Sequence, residues 1–218
     1  KKQRAAEIIR DIENRNLDIL ESICLTANGF HCFKDKELLP VSEKEMVAKM
    51  VIVTSSVPVL VPDVAEFAQP AEKFLFLQNP TAEVGDVVEE KFQNYRVIYS
   101  VPTSAAEKLA LLNIQPHYKH ILTASYTLLN TRFSDAFEQN ALVIFPTQNH
   151  FLLMLFSKGE LLMVNQFEYH SDADMLYYLL NVIAQFELNI EESVLYFLYS
   201  DNNRDNFLKS YFHIRHLL

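Results

Sequence analysis

ALVIFPTQNHFLLMLFSKGELLMVNQFEYHSDADMLYYLLNVIAQFEL, residues 141–188, reads as three successive strands and one long amphipathic helix. Residues 142–145 and 151–156 are apolar runs separated by the turn Pro146-Thr147-Gln148-Asn149. Lys158-Gly159-Glu160 makes a second tight turn into a third run, residues 161–169. Ser171 or Asp172 is placed to cap the helix. Asp174 adds negative charge to its first turn, where free backbone N–H groups and the helix dipole favour it. Leu176, Leu179, Leu180, Ile183 and Phe186 recur at helical spacing, which predicts a stripe laid on a sheet.

A second stretch lies over the first. ICLTANGFHCFKDKELLPV (23–41) aligns with IFPTQNHFLLMLFSKGELLMV (144–164), placing Thr26 over Thr147, Asn28 over Asn149 and Phe30 over Phe151. KDKELL then falls over SKGELL after a two-residue insertion in the second copy. The same strand–turn–strand–turn–strand order thus recurs roughly 120 residues apart, which reads as an internal duplication. Asn28-Gly29 is itself a hairpin signal, because both residues tolerate positive φ.

Outward from these copies, residues 1–16 are charged, with Ala5, Ile8, Ile9 and Ile12 on one helical side. Residues 50–54, 57–61 and 95–101 read as strands, 64–68 as a short helix, and 86–92 as helix. Pro102-Thr103-Ser104 is expected to cap a helix running to Leu112, and 118–133 to form another after Pro116. Residues 134–139 are the expected boundary, dividing the chain into 1–138 and 139–218. Beyond the quoted stretch, 194–199 reads as a buried strand, 200–204 as a polar loop and 205–217 as a closing helix.

The totals exclude several function classes. A chain of 218 residues that is 50% hydrophobic can bury a full core. A net charge of −9 argues against nucleic acid and against anionic lipid, both of which call for Lys and Arg. Two cysteines cannot build a disulfide framework, no apolar run approaches the roughly 20 residues of a membrane span, and residues 1–16 lack the apolar core of a signal peptide. A cytoplasmic protein is expected. Gly29, Gly85 and Gly159 are the only glycines, few for chemistry that cradles phosphate on backbone N–H groups.

Isolated groups read better as structure than as chemistry. His117-x-x-His120 and His213-x-x-His216 have one-turn helical spacing, but no carboxylate or cysteine accompanies either at metal-ligand spacing. Cys24 and Cys32 crowd the first hairpin as small buried hydrophobes, and Ser55, Ser104 and Ser125 lack a nucleophile elbow. Asp172 and Asp174 are expected to serve the helix start, and Tyr169, Tyr177 and Tyr178 the core.

The order of elements, with the N-x-F-x-Y…D…YY pattern of Asn165, Phe167, Tyr169, Asp174, Tyr177 and Tyr178, resembles a bacterial family of unknown function with an actin-like ATPase fold. Val59-Leu60-Val61-Pro62, residues 99–102 and the late strand 194–199 support the likeness. The resemblance implies an α/β protein of two ribonuclease-H-like subdomains, each a mixed sheet flanked by helices. In working members of that fold each first hairpin carries Asp then Gly beside the phosphates, and a later Gly-rich turn receives the adenosine. Thr26-Ala27-Asn28-Gly29 has no Asp, the loop 146–150 has neither Asp nor Gly, and Ser200-Asp201-Asn202-Asn203 has no Gly. Mg²⁺ bridging phosphates then lacks an obvious ligand, so no catalytic residue, metal site or cofactor is assigned. Two-metal nuclease chemistry fails too, because Ile23-Cys24-Leu25 offers no inward carboxylate. Asn28, Gly29, Gln148 and Asn149 remain as candidates to line a ligand cleft. The expected function is binding of a protein or small ligand without catalysis, with self-association through a sheet edge or the closing helix as one version. The rival is an ATP- and Mg²⁺-dependent ATPase or kinase relative using non-standard loop residues, with Asp35 or Asp201 as its carboxylate.

Overall fold

Two five-stranded sheets built on one plan organise the described residues. The structure is a computed structural model and describes residues 23–26, 29–34, 37–41, 50–54, 57–78, 85–112, 114, 116–147, 149–198 and 202–217. The expected N-terminal helix therefore lies outside the described residues. The chain divides into two compact units, one made of 1–34 and 38–124, the other of 35–37 and 125–218.

In the first unit β1 (Ile23–Thr26), β2 (Gly29–Lys34) and β3 (Glu37–Pro40) are followed by β4 (Met50–Val53) and β5 (Val59–Pro62). Then come α1 (Ala71–Gln78), the hairpin β6 (Asp86–Phe92) and β7 (Tyr95–Val101), α2 (Thr103–Leu111) and β8 (His117–His120). Helix α3 (Ile121–Arg132) crosses the limit between the units, and a 3-10 turn, Ser134–Glu138, occupies the stretch read from sequence as a boundary. The second unit continues with β9 (Asn140–Pro146), β10 (His150–Ser157), β11 (Glu160–Glu168), α4 (Asp172–Gln185), β12 (Ser193–Phe197), α5 (Asn202–Leu208) and β13 (His213–His216).

The five-stranded sheets run β3-β2-β1-β4-β8 and β11-β10-β9-β12-β13, and a three-stranded sheet runs β5-β7-β6. In each large sheet the first strand is antiparallel to the second and parallel to the fourth, which is parallel to the last. The registers coincide as the alignment expects. Leu25 stands opposite Phe30 where Pro146 stands opposite Phe151, and Thr26 faces Gly29 where the Thr147 N–H donates to the His150 carbonyl.

Hydrophobic burial explains why β9, β10 and β12 read as unbroken apolar runs: both faces are covered. Leu142, Ile144, Leu153 and Leu195 pack with Leu176, Leu179 and Ile183 of α4. On the other face Tyr126 of α3 meets Phe156, and Phe133 meets Tyr196. The turn between β10 and β11 takes φ 49° at Lys158 and 80° at Gly159, matching the right-handed twist of the strands.

Four expectations are corrected. Residues 86–92 form β6 rather than a helix, because Gln93, at φ 51°, turns them onto β7. The expected helix 118–133 begins only at Ile121, since 117–120 pair in parallel with β4. The expected closing helix 205–217 is a short helix and the strand β13, parallel to β12. Leu180 faces outward, and Met175 and Val182 take its place in the stripe. Helix α1 has no sequence counterpart, and α2 starts at Thr103 with no side-chain cap.

Candidate functional site

The end of β9 is where the resemblance places chemistry, and its turn is bound into the chain. Thr147 donates from both its N–H and its hydroxyl to the His150 carbonyl, at 2.7 Å each. Tyr169, just past β11, donates its N–H to the Asn149 carbonyl at 2.9 Å and its hydroxyl to the Thr147 carbonyl at 2.8 Å. Arg204 of α5 donates to the Tyr169 hydroxyl at 3.2 Å, lies 5.5 Å from its ring centre, and pairs with Asp172 at 3.0 Å. The carbonyls of Thr147, Asn149 and His150 are thus all taken by the turn and its tether. A phosphate loop instead directs a series of N–H groups outward.

Of the sequence candidates, Asn149 is exposed in this turn and Gly29 opens β2 opposite Thr26. They belong to different units. Asn28, Gln148, Asp35 and Asp201 lie outside the described residues.

The other groups resolve into structural roles. Ser171 caps α4, its hydroxyl accepting the Asp174 N–H, while Asp174 accepts the N–H groups of His170 and Ser171. The His170 N–H above all, then Ser171, holds the Asp174 carboxyl below the usual range. Asp172 serves the Arg204 pair rather than the cap. Cys24 is fully buried and opposite His31, one position off Cys32; burial first, then Cys32, pushes its thiol far up, away from nucleophilic use.

Neither histidine pair is helical, because 117–120 and 213–216 are strands. His120 is buried and its Nδ1 accepts the Leu122 N–H, whereas His117 is exposed. His216 contacts Asp205 at 2.9 Å, and the Arg215 guanidinium donates to His213. Among the described residues, no group of three or more His, Cys, Asp or Glu is placed to hold a metal ion.

Two features escaped the sequence. Arg204 sat in an expected loop, with no local signal for its reach to Tyr169. Glu90, on β6, accepts from the Tyr99 hydroxyl at 2.5 Å, the His120 N–H at 2.5 Å and the Thr123 hydroxyl at 2.7 Å. It thereby anchors the small sheet to the start of α3. Burial, then the Glu90 charge, pushes the Tyr99 phenol well above its usual range.

A family model described as a protein of unknown function (DUF3822) matches residues 17–217. The chain belongs to the DUF3822 family. No curated protein sequence matches this DUF3822 chain significantly. It is similar to a Bacteroides thetaiotaomicron protein of actin-like ATPase fold and unknown function, with TM-score 0.65 and 18% identity over 92% of each chain. It is also similar to a chain of the PilM-PilN type IV pilus biogenesis complex, with TM-score 0.53 and 12% identity over 83% of this chain and 72% of that one. The DUF3822 chain has the actin-like ATPase fold, with mixed sheets flanked by helices. Among its described residues no helix is long and apolar enough to cross a membrane.

Proposed function

We propose that this DUF3822 protein is a non-catalytic member of the actin-like fold that binds a protein or small ligand through what were nucleotide loops. The observation that carries the reading is the turn 147–150: it has no carboxylate, and three of its carbonyls accept bonds from the turn itself and from Tyr169. A turn without a carboxylate offers magnesium no charged side-chain ligand, its three bonded carbonyls are already engaged, and its Thr147 N–H is spent on the His150 carbonyl. Asn28, Gly29, Gln148 and Asn149 are its proposed ligand-facing residues. Protein binding is supported by the likeness to a chain of the PilM-PilN complex, itself a protein assembly. The net charge of −9 supports a partner other than nucleic acid or an anionic membrane surface.

Calorimetry with ATP and Mg²⁺ tests this. The expected result is no binding tighter than about 1 mM. Micromolar binding that is lost in Asn28→Ala or Gln148→Ala would overturn it.

A further inference from the structure

Beside the tethered turn, on the outer side of the α4 start, lies a pocket of about 350 Å³ lined by Glu168, His170, Asp174, Tyr177 and Tyr178. Its aromatic wall is braced from the core. Fully buried Phe151 stacks on Phe167 at 5.3 Å, Phe167 on Tyr178 at 4.8 Å, and Tyr178 meets Tyr177 edge-on at 5.5 Å. The series ends at Tyr177, which is 63% exposed. Tyrosine at such exposure leaves a large apolar face in water, held in place here by the Tyr178 ring and the core behind it. The rim carries two carboxylates. Glu168 is 64% exposed with the His170 ring 3.7 Å away, and Asp174 is fixed by the two backbone N–H groups of the helix cap.

The chain itself shows what a ring and a carboxylate so disposed accommodate. Arg96 lies 5.7 Å from the Phe74 ring and 2.7 Å from Glu89. Arg204 lies 5.5 Å from Tyr169 and 3.0 Å from Asp172, and Arg215 lies 5.5 Å from Phe133 and 2.7 Å from Asp135. In each, a guanidinium combines cation–π attraction with a charge-assisted bond to a carboxylate. The pocket presents the same two ingredients, and among the described residues no Lys or Arg lines it. We infer that this pocket is a docking site for an arginine side chain carried by a basic segment of a protein partner. The inference rests on the protein-binding reading above and names the partner's chemistry. A net charge of −9 draws such a segment toward the chain, and the planar guanidinium suits a tyrosine face better than the compact ammonium of lysine.

The test is a titration of the full chain with Ac-Arg-Arg-NH₂ at low salt, followed by amide ¹H–¹⁵N shifts, with Ac-Glu-Glu-NH₂ and choline as controls. Saturable shifts at residues 168–178, with affinity reduced at least fivefold by Glu168→Gln and by Tyr177→Ser, are expected. Both side chains are mostly exposed, so both variants are expected to fold. Silence at 168–178, shifts indifferent to both substitutions, or an equal response to Ac-Glu-Glu-NH₂ would overturn the site. Choline binding as well as the arginine peptide would overturn arginine as the occupant. A silent pocket in a protein that also ignores ATP removes only this docking site. ATP binding lost in the loop variants removes the non-catalytic reading, whatever the peptides do.

Discussion

Gly85 and Gly159 are glycines for different reasons. Gly159 supplies a left-handed φ of 80° in a turn legible from Lys158-Gly159-Glu160. At Gly85 a Cβ would stand 1.8 Å from the Val101 carbonyl oxygen and 2.8 Å from the Thr103 nitrogen, both backbone atoms that cannot swing aside. Gly85→Ala is therefore expected to cost roughly 2–4 kcal/mol in urea unfolding. A variant as stable as the parent would refute the close approach. Nothing around Gly85 in the sequence announces this, because the obstructing atoms belong to the end of β7 and the start of α2, further along the chain. The tyrosines divide in the same way. Tyr169 is buried as expected at a sheet–helix junction, whereas Tyr177, also expected in the core, stands outside because of which face of α4 meets the sheet.

At the scale of α4, the start was legible to within one residue, Ser171 or Asp172, because caps are local devices; the structure selects Ser171 and makes Asp174, read only as first-turn charge, its capping-box partner. Ser171→Ala is expected to cost about 1 kcal/mol, lowering the melting temperature by about 2–4 °C. An unchanged melting curve would mean that the cap contributes nothing. Strands β8 and β13 were illegible for the opposite reason. Each is four residues long, HYKH and HIRH, and is extended only because β4 or β12 offers a parallel edge. Strand β6 failed because DVVEEKF holds four charged residues against two valines, and its hairpin depends on the positive φ at Gln93. The tether of Arg204 and Tyr169, the heart of the candidate site, joins elements 35 residues apart and has no local signature.

Across the molecule, several carboxyls are held below their usual range in the folded chain. Lys91 does this at Asp63, Arg96 at Glu89, Arg215 at Asp135, and the His170 N–H at Asp174. A depressed folded value means that stability is fully present above the unfolded carboxylate range, near pH 4, and is lost as pH falls through the folded values. The urea midpoint is therefore expected to hold from pH 7 to about 5 and to decline below about 4. The decline should be shallow in high salt, because these pairs are largely at the surface. A midpoint that rises on acidification would contradict the sign.

What the sequence by itself determined is the repeated meander and the helix laid on it. Alternation, tight turns and caps act over a few residues, and the same local pattern occurs twice. It also settled that Asp is missing from both hairpin loops and Gly from the second, because identity at a position needs no coordinates. Only the tertiary structure decided that the β9–β10 turn is tied by Tyr169 and Arg204, and that an acid–aromatic pocket opens beside it. Those facts depend on which side chains the packing of α4 and α5 turns inward and which it leaves to solvent, and such choices are made by contacts between segments far apart in the chain.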